Sequence, residues 1–391
     1  MNIKLRSQLL LFMVAITTSV VSAYSGFQAN NAMIESAKKR ELNITATLIQ
    51  SNINEQINKA SARASLVSSL PSIKQAFRAK NREDLTTRLL PAMIIQRDQF
   101  GVREGQFILP PAISFLRIYA LKDGHGEDLS GFRQMVLVAN RTGEPQRGME
   151  IGRRGLSIRA VYPVKDDEGI IGSFEIGLSF SSVLSQTKTN TGFDVGVFID
   201  DKLMTEVAKL QPRPDNERIV GGYQAVEVTD WGVLKPLMSP AIFAKARDIA
   251  VDLLTVNGND YGVVLVPVLD YKGERIGVVV AVRDFSEFQN QQRWALTGTV
   301  AMAGLQIILL TGALLIVVNA MLLKPFEAIA KASKDLGDGN VVPDLEELAN
   351  RRDEIGDMAR SLQTIATQTI ASQSNGNGHT EVEAKKELGN A

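Results

Sequence analysis

The sequence predicts an α+β membrane protein: two α/β lobes with a long N-terminal helix, held between two apolar helices and followed by a short helical coil. Three observations carry this. Two uncharged runs, Ser7–Ile34 and Trp294–Leu323, are each long enough to cross a bilayer, which takes about 20 apolar residues. Between them, helical periodicity gives way near Phe107 to short apolar, β-branched runs separated by Gly-containing turns. Within that stretch one strand–turn–strand pattern occurs twice, about 100 residues apart, the size of one lobe.

Composition removes several functions. The 391 residues carry 43 Lys+Arg against 43 Asp+Glu, so the chain has no basic excess for a nucleic-acid partner. It has no cysteine, which excludes disulfides, thiolate metal sites and Cys nucleophiles. The two histidines are His125 and His379. His125 lies in a Gly-flanked loop with Glu127 and Asp128; one imidazole and two loop acids are too sparse for a metal. No nucleophile–base pair stands out, so no catalytic residue, metal or cofactor is expected, and the chain does not read as an enzyme.

In chain order, residues 1–6 form a cytoplasmic N-terminus and 7–27 a first transmembrane helix, flanked by Lys4 and Arg6. Val21-Ser22-Ala23 has the small residues of a signal cleavage site, but apolar character runs on to Phe27, which is long for a signal core. Residues 28–293 are extracytoplasmic and 294–323 form a second transmembrane helix, with Trp294 at its edge and Lys324, Lys331 and Lys334 beyond it. Lys38, Lys39 and Arg40 oppose this orientation little, because long translocated domains largely escape the positive-inside bias. Both termini are therefore placed in the cytoplasm; without cysteine, a bacterial inner membrane with a periplasmic domain fits.

Ala46, Ile49, Ile53, Ile57, Ala60, Ala64 and Val67 recur at spacings of three and four, one face of a helix that ends before Pro71. It either rises from the membrane as a stalk or dimerisation helix, or packs on its own domain, or both. Strands are expected at Phe115–Leu121, Leu156–Val164, Ile171–Leu178, Phe193–Ile199, Tyr261–Val268 and Ile276–Val282. The repeat reads AVYPVKDDEGIIGSFEIGLSF at Ala160–Phe180 and VLVPVLDYKGERIGVVVAVRDF at Val264–Phe285. Pro163 matches Pro267, Asp166 matches Asp270, Gly169 matches Gly273, Gly172 matches Gly277 and Phe180 matches Phe285; each copy is a β-hairpin.

The P-V-x-D-x-x-G turn with a returning I-G strand resembles the Cache family of extracytoplasmic sensor domains, and its doubling resembles a double Cache module over roughly residues 35–290. That resemblance implies PAS-like lobes, about 70–190 and 191–290, and a ligand sensor.

The stretch from Phe107 to Val164 is rich in arginine, which forms bidentate bonds to carboxylates and phosphates. Arg117 and Tyr119, two apart on one expected strand, share a face, and Arg159 lies on another strand with Tyr162 facing the opposite side. Arg117, Tyr119, Arg133, Arg159 and Tyr162 are thus candidate residues for a small anion such as a carboxylate. The competing reading is that the arginines pair with Glu104, Asp128, Glu144 and Glu150 on a solvated surface, and a periplasmic binding protein is the other candidate partner.

After the second span, Leu322, Phe326, Ile329, Ser333 and Leu336 form one heptad seam, and Ile355, Met358, Leu362, Ile365 and Thr369 a second. A break at Gly337–Asn340 separates them, with glycine supplying left-handed cap geometry. Pro325 at the membrane exit and Asp353-Glu354-Ile355-Gly356 at the second helix resemble a HAMP domain over 324–370. HAMP domains are parallel bundles of two chains, so the resemblance implies a homodimer; helices under about 15–20 residues could not bury such seams alone. Pro325, Gly337, Gly339, Glu354, Ile355 and Gly356 are the candidate relay residues. Only 68 residues follow Leu323, the last of them (371–391) polar and Gly/Asn-rich, so an output domain is expected to be absent and His379 to stand in a disordered tail.

The expected function is a dimeric transmembrane sensor that passes a conformational change through the second span and the coil to a cytoplasmic or membrane output protein in trans, kinase or chemoreceptor-like. The alternative is a membrane-anchored scaffold that holds a periplasmic partner.

Overall fold

The computed structural model describes residues 3–338, 340 and 345–369, and the side chains of all of these except residues 3–8 and 11. It divides into two compact units, Ala32–Gln292 and Met1–Asn31 with Arg293–Ala391.

Helix α1 runs from Ile3 to Ser69. Its apolar stripe is buried as the 3–4 spacing requires: Leu42, Ala46, Ile49, Ile53, Ala60 and Ala64 are all at most 6% exposed. Pro71 stops it. Leu70 is held extended, as a residue before proline prefers, and Pro71 then opens α2 (Pro71–Arg78), which buries Ile73, Ala76 and Phe77. Helix α3 (Arg82–Phe100) is capped by the Asn81 side chain accepting from the Asp84 N–H at 3.0 Å, with Glu83 and Asp84 in its first turn, and ends on left-handed Gly101.

The first sheet contains β1 (Val102–Leu109), β2 (Ile113–Arg117), β3 (Gln146–Gly152), β4 (Gly155–Asp166) and β5 (Gly169–Leu178), in the order β2-β1-β5-β4-β3, with α4 (Gln134–Thr142) between β2 and β3. Helix α5 (Ser181–Thr191) leads to the second sheet. That sheet contains β6 (Asp194–Asp200), β7 (Ile219–Val220), β8 (Tyr223–Val228), β9 (Ala250–Val256), β10 (Asn259–Leu269) and β11 (Arg275–Asp284), ordered β7-β8-β6-β11-β10-β9. Helices α6 (Asp201–Val207), α7 (Trp231–Leu234) and α8 (Pro240–Lys245) lie in its connections. Every strand pair is antiparallel.

The main core joins α1, α2, α3 and α5 to one face of both sheets, with the Phe77 and Phe174 rings tilted against Phe107 at 4.9 and 4.6 Å. The other face of the first sheet is covered by α4 through Met135, Val136 and Ala139. The other face of the second is covered by α7, α8 and the segment joining them, where Phe243 packs against Phe198 and Tyr223 at 5.2 and 4.8 Å.

The repeated motif forms the hairpins β4–β5 and β10–β11. Pro163 pairs with Ser173 and Pro267 with Val278, and the register shifts one residue after Val164 in one copy and after Val268 in the other. The I-G glycine has the same task twice. A Cβ on Gly172 would stand 2.4 Å from the Ile108 carbonyl oxygen, and one on Gly277 2.3 Å from that of Phe198, so each marks where the first strand of its lobe approaches.

All six expected strands are present, but the one expected at Phe115–Leu121 ends at Arg117. There the Ile118 N–H donates to Gly105 and Ala120 closes a turn on Arg117, at 2.9 and 3.2 Å, so Tyr119 sits in that turn and not on a strand with Arg117. Strands β1, β3, β7, β8 and β9 escape sequence reading: glycine and charged residues interrupt β1 and β3, β7 is two residues long, and β8 and β9 each carry an acid within a short apolar run.

Helix α9 (Ser286–Val318), which enters the other unit at Arg293, passes through a π-helical turn, Asn319–Leu323, into α10 (Lys324–Gly337). Among the described residues this continuous stretch, Ser286–Gly337, is the one helix long and apolar enough to cross a membrane. Short α11 (Glu346–Ala349) and a helix over 354–369, α12, follow. Pro325 explains the helical irregularity. It has no N–H to donate to the Met321 carbonyl four residues earlier, and the Arg351 guanidinium takes that carbonyl instead, at 3.2 Å. Arg351 also forks onto Asp353 at 2.6–3.1 Å, and Asp353 caps α12 by accepting from the Gly356 N–H at 3.1 Å. Gly356 is required here, since a Cβ would stand 2.2 Å from the Arg351 carbonyl oxygen. Glu354 is exposed and Ile355 buried.

Within one chain α10 buries Pro325, Ile329 and Ala332; Ala332 clusters with Leu345 and Ala359. Of the expected seams, Leu322, Phe326, Met358 and Ile365 are 44–51% exposed. Gly337 is the last helical residue of α10, with Asp338 as its cap, and it is not left-handed. Gly339 and the tail 371–391 lie outside the described residues.

Candidate functional site

Sequence-predicted Arg133 sits just before α4, 4% exposed, inside a ring of acids. Its Nε donates to Glu150 at 2.8 Å and its Nη1 to Glu175 at 3.0 Å, and its Nη2 completes the fork on Glu175. Glu150, from β3, also accepts the Met135 N–H at 3.0 Å, satisfying one free donor of the α4 N-terminus. Arg159, on β4, is 1% exposed. It reaches Glu104 of β1 and, at 3.3 Å, Glu175 of β5 through Nη1, whereas its Nε is buried with no hydrogen-bond partner.

Of these groups, Glu104, Arg133 and Arg159 line a cavity of about 50 Å³. Its wall adds Arg103, Gln106, Arg117, Tyr119, Leu129, Phe132, Arg153, Arg154 and, from the second lobe, Leu210. Arg117 and Arg153 share Glu127 at 2.6 and 3.0 Å, and Arg153 lies over the Phe132 ring at 5.0 Å. Arg103 reaches across to Glu227 of β8 at 3.5 Å. Arg154 is exposed and has no ion-pair partner among the described residues. The Tyr119 hydroxyl donates to the Met93 carbonyl at 2.6 Å under the Arg97 guanidinium.

Titration follows this packing. Burial pushes Glu104 up, but the facing guanidiniums of Arg159 and Arg133 outweigh it and hold the carboxyl at about 2. Arg133 loses by burial and gains more from Glu175 and Glu150, so its pKa rises and it stays a cation. Burial lifts Tyr119 to about 12 and moves Glu227 up.

Of the five candidate residues, the structure brings Arg117, Tyr119, Arg133 and Arg159 to one cavity. Tyr162, an odd number of positions from Arg159 on the same strand, packs against the main core instead. The arginines do pair with acids, among them Glu104 and Glu150 as anticipated, but inside the fold, where Glu175 holds both buried guanidiniums. Sequence reading missed Arg103, Glu104 and Gln106 as lining residues because it missed β1.

One usable signal lay in the repeat. Aligned on Pro163/Pro267 and Gly172/Gly277, Arg159 corresponds to Val263 and Glu175 to Val280. Val263 and Val280 are fully buried in the aromatic layer over the second sheet. The same inward positions are therefore ionic in the first lobe and aliphatic in the second.

The model of the dCache_3 family, described as a double sensory domain of two-component sensor kinase, matches residues 35–289. The chain belongs to this family. Its two sheets are the two lobes of a dCache_3 sensory module. Among solved structures, the fold is similar to the sensory domain of the Campylobacter jejuni chemoreceptor Tlp3 with isoleucine bound. There the TM-score is 0.41 at 11% identity, over 66% of this chain and 97% of that one. It is also similar to the periplasmic domain of Vibrio cholerae LuxQ, with TM-score 0.39 at 10% identity, over 62% of this chain and 99% of that one. No curated protein matches.

Proposed function

We propose that this dCache_3 protein is a dimeric transmembrane sensor whose first lobe detects a small anion and whose second span relays the change to a HAMP-like coil and an output partner. The observation that carries the ligand reading is the cavity lined by six arginines, of which Arg154 has no ion-pair partner among the described residues, at a place whose counterpart in the second lobe is filled with valine and aromatic rings.

The relay reading rests on connectivity. Strand β11 passes through Asp284 directly into α9 and on to α10. A ligand that favours one of two arrangements of the first lobe shifts their populations, and the span carries the shift inward. In the coil, the exposed Leu322, Phe326, Met358 and Ile365 form the surface that a second copy covers. Exposed apolar side chains along the spans, such as Leu10, Val300, Ile308 and Ile316 at 62–71%, face lipid in this reading.

The test is a thermal-shift screen of small metabolites on the full chain in detergent, repeated on Arg117→Ser and Arg154→Ser. Compounds that raise the melting temperature of the parent and not of the variants support sensing at this cavity. A screen in which every shift survives both substitutions overturns it.

A further inference from the structure

Resting on the sensor reading above, we infer that Leu210, Gln211 and Tyr271 of the second lobe are positioning residues for the cavity: they clamp the β3–β4 hairpin, whose tip carries Arg153 and Arg154. The tip has an unusual composition. Gly152 pairs with Gly155, so the two arginines fill the central places of the turn. Two-residue hairpin turns favour Asn-Gly, whose left-handed conformations match the twist of the strands. The corresponding hairpin of the second lobe, β9–β10, follows that rule: Val256 pairs with Asn259 around Asn257 and Gly258, at φ 53° and 81°. In the first lobe the positive φ falls instead on Gly155, at 94°, and both central places are taken by arginines that line the cavity.

The second lobe holds this hairpin at two points. At the tip, the Leu210 N–H donates to the Arg153 carbonyl at 2.8 Å, and the Gln211 side chain lies over Gly155, its Oε1 only 1.9 Å from where a Cβ would stand. Further along β3, the Tyr271 N–H donates to the Met149 carbonyl at 3.2 Å, and a Cβ on Gly148 would stand 3.0 Å from the Tyr271 Cα. Gly148 has φ 145°, so the glycine in this strand marks the approach of a neighbouring backbone.

Between the two points the hairpin serves the first lobe. Glu150 binds Arg133, and the Arg153 guanidinium is held by Glu127 at 3.0 Å and by the Phe132 ring at 5.0 Å. Arg153 is therefore fixed from both lobes, its side chain by the first and its carbonyl by the second. Leu210 lines the same cavity. A group that draws on Arg153 or Arg154 moves a peptide that Leu210 holds, and the coupling is reciprocal. Because β11 of the second lobe leads into α9, this clamp supplies the step from the cavity to the span.

Hydrogen exchange of the ligand-free full chain in nanodiscs, read by mass spectrometry, tests the clamp from both sides. Leu210→Pro removes the second-lobe donor, and Arg153→Ala removes the first-lobe side chain. Leu210→Pro is expected to speed exchange of residues 151–156 by about 10-fold or more, and Arg153→Ala that of residues 208–213 by about 3-fold or more, with β5 and β11 exchanging as in the parent. A turn of local structural value alone would loosen only the lobe that carries the substitution. Gln211→Ala, expected to act on residues 151–156 in the same direction, keeps the test decisive where Leu210→Pro does not fold. Parent-like exchange of 151–156 in the second-lobe variants, or of 208–213 in Arg153→Ala, overturns the clamp and leaves the sensor reading standing, because no ligand is present. Faster exchange that extends through β5 and β11 also overturns it, by assigning the coupling to the shared core. The sensor reading fails separately, in the metabolite screen.

Discussion

Arg133 shows what a buried ion network demands of single residues. It is held by Glu150 and Glu175, both at most 6% exposed, so removing the cation strands two carboxylates in the core. Such a loss costs about 3–5 kcal/mol. Arg133→Ala is expected to lower unfolding free energy by that amount in denaturant titration of the full chain, and a cost under about 1 kcal/mol would show that the network is solvated. Glu104 gives a pH signature. Its folded pKa of about 2 lies below the ordinary value of roughly 4.3 for an unfolded glutamate. A depressed acid stabilises the fold above the unfolded pKa and loses that contribution as pH falls through the folded one. The parent is therefore expected to lose stability relative to Glu104→Gln between about pH 4.5 and pH 2, by on the order of 3 kcal/mol in all. Melting temperatures that fall in parallel over that window would contradict the pairing. These residues were only half legible in the sequence. Arginine enrichment marked the region, but Glu175 alternates within an apolar strand as any outward-facing acid would. Only the valine at the matching place in the second hairpin distinguishes it.

At the scale of elements, the repeat was the most readable part of the chain because its physical demands are local: a Gly to close the turn and a Gly where a neighbouring carbonyl approaches. What the repeat does not reveal is that its second turn leaves its own lobe. Tyr271, in the β10–β11 turn, donates its N–H to the Met149 carbonyl at 3.2 Å and packs on the α4 cluster of the first lobe. Met149 precedes Glu150, which binds Arg133, so the turn abuts the strand that holds one of the arginines lining the cavity. The ring is half-buried, and its hydroxyl is buried without a partner. Tyr271→Phe is accordingly expected to be neutral or to stabilise by up to about 1 kcal/mol, while Tyr271→Ala costs roughly 1–3 kcal/mol. Equal destabilisation by both would mean that the hydroxyl, not the ring, holds the lobes. Strands β1, β3, β8 and β9 were not legible for the opposite reason: their stability comes from ladder partners distant in sequence, and their side chains do not alternate strongly enough to announce a face.

At the scale of the whole molecule, sequence fixes which segments are apolar but not which apolar surface belongs to the chain itself. The heptad spacing in 322–369 was read as one seam per helix. The structure divides it: Ile329 and Ile355 are buried within the chain, together with Ala332 and Ala359 from outside the seams, while Leu322, Phe326, Met358 and Ile365 stay about half exposed. Phe326 on α10 and Ile365 on α12 are large apolar side chains that one chain leaves about half exposed. The dimer reading gives them a partner in the second copy. The chain contains no cysteine, so a single engineered thiol reports its neighbours without background. Phe326→Cys in membranes is expected to form a disulfide-linked dimer on mild oxidation, because residues at a two-fold coil seam approach their own copies within the 4.4–6.8 Å between Cα atoms that a disulfide spans. Lys331→Cys, outside the expected seam, is expected to cross-link far less. Equal yields at the two positions, or none at Phe326, would remove the two-chain coil and with it the proposed route from the cavity to the output partner.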